Sequence, residues 1–378
     1  MNVIIAGDYC DKDRISELIR QGAYEMPFKT ISPIIKSADY SIVNFEFPIN
    51  NGNAKPILKN GPGLIGQKQS IEPLKFAGFN CCTLANNHIM DQGEESCLYT
   101  KQLIEENGLD TVGLGSNLED AQRVLYHKNN GETLAIINCC EHEFSVATTY
   151  KAGANGLDAI SLYYSIKEAK KLADYVLVIV HGGHEHFQLP SPRMKKLYHY
   201  IIDLGADAVV NHHQHCYSGF EFYKKKPIVY GLGNLLFDWE GLSIKTWTEG
   251  YLASITFSRE SVELECIPYI QCRDTPDVRV MNDTEKTNFF ENIQRINAII
   301  EDDDALQNAV NDYYKMGSFH YLFTLEPYRG RVLRKLLSLK LLPSLLNAKK
   351  ILSLINCIEC ESHRDRFLYI LKHSIPHK

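Results

Sequence analysis

The stretch from Asp174 to Asp238 constrains the fold most. It holds three short apolar runs: Tyr175 to Val180, Ala206 to Val210 and Pro227 to Gly231. Such runs suit strands buried on both faces of a parallel sheet. The first ends on His181, the second on Asn211-His212-His213-Gln214-His215 and the third on Gly233-Asn234. An amphipathic helical pattern, Arg193 to Leu204, joins the first two. In α/β folds ligands bind at the carboxyl ends of strands. Histidines at two such ends therefore predict a site, and imidazole is a common metal ligand.

Three earlier runs deliver similar chemistry. Val3 to Ala6 leads to Gly7-Asp8, and Tyr40 to Phe45 leads to Glu46. Phe79 to Leu84 then runs into Ala85-Asn86-Asn87-His88-Ile89-Met90-Asp91-Gln92-Gly93. A Gly-Asp after a strand reads equally as a capped turn, and a single Glu reads as surface. Core histidines are usually isolated, so the Asn87-His88 cluster favours a site. Together Asp8, Glu46, Asn87, His88, His181, His213 and His215 form the donor inventory of a two-metal hydrolytic centre, in which a carboxylate bridges two cations.

The remaining chain punctuates these strands. Asn50 to Gly66, rich in Gly, Asn and Pro, reads as a loop. Helical patterns cover Ser32–Ala38, Ser70–Ala77, Glu94–Asn107 and Ser161–Ala173, and hairpins are predicted around Asn129-Asn130-Gly131 and between Gly250–Phe257 and Val262–Ile267. The Gly113-Leu114-Gly115 segment lacks the rest of a dinucleotide fingerprint.

Hydrophobic residues make up 44% and charged residues 23% of the 378 residues, as in an ordinary globular protein. A formal charge of −6 argues against general nucleic-acid binding. The start, Met1-Asn2 followed by Val3-Ile4-Ile5-Ala6, has no basic flank or long apolar core, and a cytoplasmic protein is expected. The 11 cysteines are irregularly spaced and read as reduced. Cys357 and Cys360 form a lone Cys-x-x-Cys without a second pair.

The motifs resemble the CapA family, within the calcineurin-like metallophosphoesterases. The matching pieces are Gly7-Asp8, Asn44-Phe45-Glu46-Phe47-Pro48, Asn86-Asn87-His88 with Asp91 and Gly93, His181-Gly182-Gly183-His184-Glu185, Gly205-Ala206-Asp207, His213-Gln214-His215, and Lys226 to Asn234. They cover residues 1–270 in the family's order. The resemblance implies an α/β fold, a four-layer α/β/β/α sandwich over residues 1–272. From about Asp274 the composition changes, strand patterns vanish, and Thr284–Ile300 and Asp304–Tyr314 show helical periodicity, so a helical extension over 273–378 is expected. At the site, the resemblance is specific about residues. It implies Asp8 and His215 on one metal, Asn87, His181 and His213 on a second, and Glu46 between them. His88 would act on the substrate, with Glu185 and Asp91 nearby as acid–base or supporting groups. Relatives often carry a His two residues after the first Asp; Cys10 stands there, which implies a weaker first metal site. One or two divalent ions, Mn, Fe or Zn, are expected.

The function so implied is a metal-dependent hydrolase whose metal-bound hydroxide attacks a poly-γ-glutamate-like or capsule-related anionic polymer. The alternatives are a phosphodiesterase or phosphatase on a phosphorylated conjugate, and a non-catalytic accessory protein of polymer synthesis. Pro327 to Lys350 is rich in Leu and carries Arg329, Arg331, Arg334, Lys335, Lys340, Lys349 and Lys350 with no acidic residue. Two readings follow: helices whose leucines pack on the main domain, or a peripheral contact with an anionic membrane.

Overall fold

The computed structural model describes residues 1–239 and 244–375. In chain order its strands are β1 (Asn2–Cys10), β2 (Tyr40–Phe45), β3 (Cys81–Thr83), β4 (Asp110–Val112), β5 (Leu114–Gly115), β6 (Leu125–Asn129), β7 (Glu132–Cys140), β8 (Gly153–Ala154), β9 (Tyr175–His181), β10 (Ala208–His212), β11 (Phe220–Tyr223), β12 (Lys226–Val229), β13 (Asn234–Phe237), β14 (Glu249–Phe257), β15 (Val262–Gln271) and β16 (Val278–Val280). One large sheet has the order β16-β15-β14-β1-β2-β3-β4, with β13 also on β1; the other large sheet has the order β11-β12-β10-β9-β7-β6, and β5 pairs with β8 in a small third sheet.

The two sheets face each other. Tyr40 of β2 stacks on His127 of β6 with ring centroids 3.9 Å apart, and Tyr175 of β9 meets Phe257 of β14 at 5.4 Å. Helices Arg14–Arg20, Glu72–Ala77 and Gly93–Glu106 send Ile15, Ile19, Leu74, Cys97 and Ile104 into the core of the first sheet. Helices Ala159–Leu172 and Pro192–Leu204 cover β7, β9 and β10. The expected four-layer sandwich is thus formed. Every residue of β9 and β10 is buried, which is why these strands read as unbroken apolar runs.

Parallel pairing gathers the strand ends. Asp8 of β1 is in register with Asn44 of β2 and Asn234 of β13, and His212 of β10 with His181 of β9. The pairing shifts register beside Asp8 in both cases, an irregularity of the kind that re-aims a side chain next to a site. Gly7 permits the approach of β1 and β13: a Cβ there would lie 1.9 Å from the Gly233 carbonyl oxygen.

The compact unit extends to Gln307, and Asn308–Lys378 forms a second. The boundary therefore falls later than residue 272. The composition changes near Asp274, yet β16 still pairs with β15. The next helix, Asp283–Glu301, buries Phe289, Ile293, Ile296 and Ile300. Arg279 of β16 donates two 2.8 Å hydrogen bonds to Glu285, which also accepts from the Asn282 backbone in a capping box. In the second unit, helices Gly330–Ser338, Ala348–Glu359 and Glu361–His373 contain no buried residue. Among the described residues no helix is long and apolar enough to cross a membrane.

Gly7→Ala is expected to lower stability by about 1–3 kcal/mol through overpacking, read as a lower thermal midpoint. The Arg279 hydrogen bonds hold the Glu285 carboxyl down at about 2, below the ~4.3 of an unfolded Glu. Its contribution is full above that unfolded value and fades as pH falls through 2. Glu285→Gln should cost about 0.5–2 kcal/mol at neutral pH, with the difference from the parent chain shrinking in acid denaturation curves.

Candidate metal centre

The ends of β1, β2, β9 and β10 enclose a buried group of carboxylates and imidazoles. Ligand atoms of Glu46, His181 and His213 lie within 4.8 Å of one another, and so do those of Asp8, Glu46 and His215. Glu46 belongs to both trios. His181 Nε2 is 3.0 Å from His213 Nδ1, 3.1 Å from Asn87 Oδ1 and 3.8 Å from a Glu46 oxygen. His215 Nε2 is 3.6 Å from the same Glu46 oxygen. Donors bound ~2.1 Å from a shared ion have such separations. That oxygen, Glu46 Oε1, is buried and has no hydrogen-bond partner among the described residues. Buried polar groups are normally satisfied, so the donor set fits a divalent cation.

Charge arranges the group further. Burial, then the charges of Asp8 and Glu185, push the Glu46 carboxyl well above its usual value. Burial would also raise Asp8, but His212, His215 and the Asn44 amide outweigh it and hold Asp8 below the ordinary carboxylate range. Asn44 donates to Asp8 Oδ1 at 2.7 Å and faces Glu46 Oε2 at 3.4 Å, and His212 Nδ1 lies 3.2 Å from Asp8. Burial, then neighbouring imidazoles, push His181 well below its usual value and lower His213. Both are then neutral, the form that binds metal. His213 and His215 take left-handed backbone angles, φ 92° and 53°, conformations that cost on the order of 1–3 kcal/mol and concentrate at functional sites.

The family model for the bacterial capsule synthesis protein PGA_cap matches residues 2–239. The chain belongs to this family. Among curated relatives, the capsule biosynthesis protein CapA of Bacillus anthracis is 31% identical over 246 residues, 63% of this chain and 60% of that protein. The PGA biosynthesis protein CapA of Bacillus subtilis (strain 168) is 31% identical over 241 residues, 63% of each. The chain thus spans about three-fifths of the length of the curated relatives it matches. A hypothetical protein of Thermus thermophilus superposes with a TM-score of 0.47 at 15% identity, covering 75% of this chain and all of that one.

In this PGA_cap chain a cavity of about 330 Å³ opens on the centre, lined by Lys59, Asn87, His88, Glu143, Glu185, His186, His215, Phe237, Trp239 and Trp247 among others. His88 sits in its wall, and its Nδ1 is 2.7 Å from Asp91 Oδ2. Asp91 is buried, accepts from the Leu64 backbone at 2.7 Å and from Lys59, and does not line the cavity. Its carboxylate faces His88, Lys59 and the Leu64 backbone rather than the cavity. Glu185 stands exposed at the mouth. Cys10 joins the apolar core and belongs to neither trio; burial, then the Glu46 charge, pushes its thiol well up.

Sequence reasoning passed over several groups. Lys59, with a side chain only 6% exposed, lies 3.1 Å from His88 Nδ1 yet comes from the segment read simply as a loop. Glu143 accepts from Asn87 Nδ2 at 3.4 Å and lies 3.8 Å from His213. It follows the end of β7, so the strand-end rule that selected Glu46 would have found it. Asn44, His212 and Asn234 were visible in the motifs without a role; Asn234 Oδ1 lies 2.9 Å from His215 Nδ1.

His181→Ala and His213→Ala should each lose bound divalent metal in elemental analysis while keeping the parent circular dichroism spectrum. Cys10→Ser should keep its metal. Full metal in either histidine variant, or loss of it in Cys10→Ser, contradicts these ligand trios.

Proposed function

We propose that the chain is a metal-dependent hydrolase of the CapA type, acting on a poly-γ-glutamate-like or capsule-related anionic polymer or conjugate. The observation that carries this reading is Glu46, shared by two ligand trios with an unpaired buried oxygen. The substrate class rests on the relatives named for capsule and PGA biosynthesis. Asp8 and His215 would hold one cation and Asn87, His181 and His213 the other, Glu46 bridging, with Mn, Fe or Zn as the ion. Bound there, divalent cations supply Lewis-acid polarisation of the scissile group and acidify water.

The protein's own groups complete the site. His88 engages Asp91 through Nδ1, which leaves Nε2 to pass a proton to the leaving group. Lys59, against both His88 and Asp91, adds a positive charge on the wall where a leaving anion develops. Glu185 at the mouth serves as an acid–base group or orients the substrate. Trp239, Trp247 and Phe237 supply apolar surface to the same cavity. The cavity is at the small end for ligand sites, which favours a single linkage presented by an extended chain or a chain end.

Amide and phosphoester chemistry use the same machinery, so the test sets them side by side. Metal-loaded protein is assayed against γ-glutamyl peptides and against phosphodiesters. The expected result is turnover of γ-glutamyl peptides that is lost on chelation and restored by Mn, Fe or Zn. Turnover of phosphodiesters alone makes the chain a phosphodiesterase, and a metal-loaded protein inert to both is an accessory component. His88→Ala should lower turnover by about 10²–10⁴ with metal content unchanged; loss of metal would make His88 a ligand instead.

A further inference from the structure

We propose that the C-terminal unit docks on an anionic lipid surface through the helix Gly330–Ser338. This inference is independent of the catalytic reading. Charge divides sharply along the chain. Asn308–Lys378 carries 12 Lys and Arg against 5 Asp and Glu, and Met1–Gln307 carries 28 against 41, within totals of 40 and 46.

The helix itself is two-faced. At 100° per residue, Val332, Leu333, Leu336 and Leu337 share an arc of about 140°. Arg331, Arg334, Lys335 and Ser338 occupy the opposite arc. None of these residues is buried, and Val332 is 72% exposed. The apolar surface continues beyond the helix through Leu339, Leu341 and Leu345, each more than half exposed. This segment is a built turn. Glu326, itself buried, accepts from the Leu345 backbone at 3.1 Å and from the Ser344 hydroxyl, and the Tyr328 hydroxyl donates to the Pro343 carbonyl at 2.7 Å.

The arrangement selects lipid over an acidic protein surface. Docked on an acidic protein, including the body of a second copy, the helix would turn its basic arc inward and leave its leucines in water. At a bilayer the apolar arc enters the headgroup boundary, while Arg and Lys reach back to the phosphates. With no spanning helix among the described residues, such docking is peripheral and reversible.

The test is flotation of the full chain with vesicles of equal parts phosphatidylcholine and phosphatidylglycerol, against phosphatidylcholine alone. Binding is expected to the first and not the second, and to fall as salt rises. Replacing Arg331, Arg334 and Lys335 by Gln should weaken it by roughly fivefold per charge, on the order of a hundredfold together. Val332→Asp should also release the chain, because it spoils the apolar arc and leaves the basic residues in place. These side chains are exposed, and an unchanged circular dichroism spectrum checks the fold of each variant. The salt response of the parent chain tests the inference without any substitution. Equal binding to both vesicles, binding to neither, or a lipid-free dimer that the same substitutions dissociate overturns it.

Discussion

A carboxylate buried with one oxygen unpaired is the constraint on which the site depends. Glu46 is fully buried beside Asp8, and two buried carboxylates without cations cost several kcal/mol each in desolvation and repulsion. The surroundings offset this with positive or positively polarised groups: the Asn44 amide, His212 and His215. What they leave unsatisfied is Glu46 Oε1, where the two ligand trios meet. The fold therefore gathers a buried, unsatisfied donor set of the kind that divalent cations are chemically suited to complete.

Positioning that carboxylate requires both sheets. Parallel pairing of β1 with β2 and of β9 with β10 brings four strand ends to one side of the sandwich. Two close backbone features sharpen the aim: the approach of Gly7 to Gly233, and the left-handed turns at His213 and His215. Each is unfavourable alone. Each persists because adjoining strands such as β10 and β13, buried throughout, leave the connecting residues little freedom.

The same chain separates its charges. The body that carries the ligand trios is acidic although its proposed substrates are anionic, so positive charge at the site must be local, from Lys59 and the proposed cations. The basic residues concentrate instead in the terminal helices, where they do not contribute to the ligand trios. The proposed polymer site and the proposed lipid-docking helix thus lie in different parts of the chain.

By itself the sequence determined the strand-end chemistry. Asp8, Glu46, Asn87, His181, His213 and His215 were legible because each follows a short apolar run, and a buried parallel strand imposes that pattern on contiguous residues. The helices Pro192–Leu204 and Asp283–Glu301 were legible for the same reason, through their own period. Tertiary structure decided what has no local period. Lys59 reaches His88 from a loop remote in sequence, and only the fold shows Asp91 buried behind His88. Strands β11, β13 and β16 are 3 or 4 residues long, too short to show an alternation, and exist because neighbouring strands offer them hydrogen bonds. The boundary at Gln307 moved past the change in composition because burial of Phe289, Ile293, Ile296 and Ile300 depends on surfaces that lie far away along the chain.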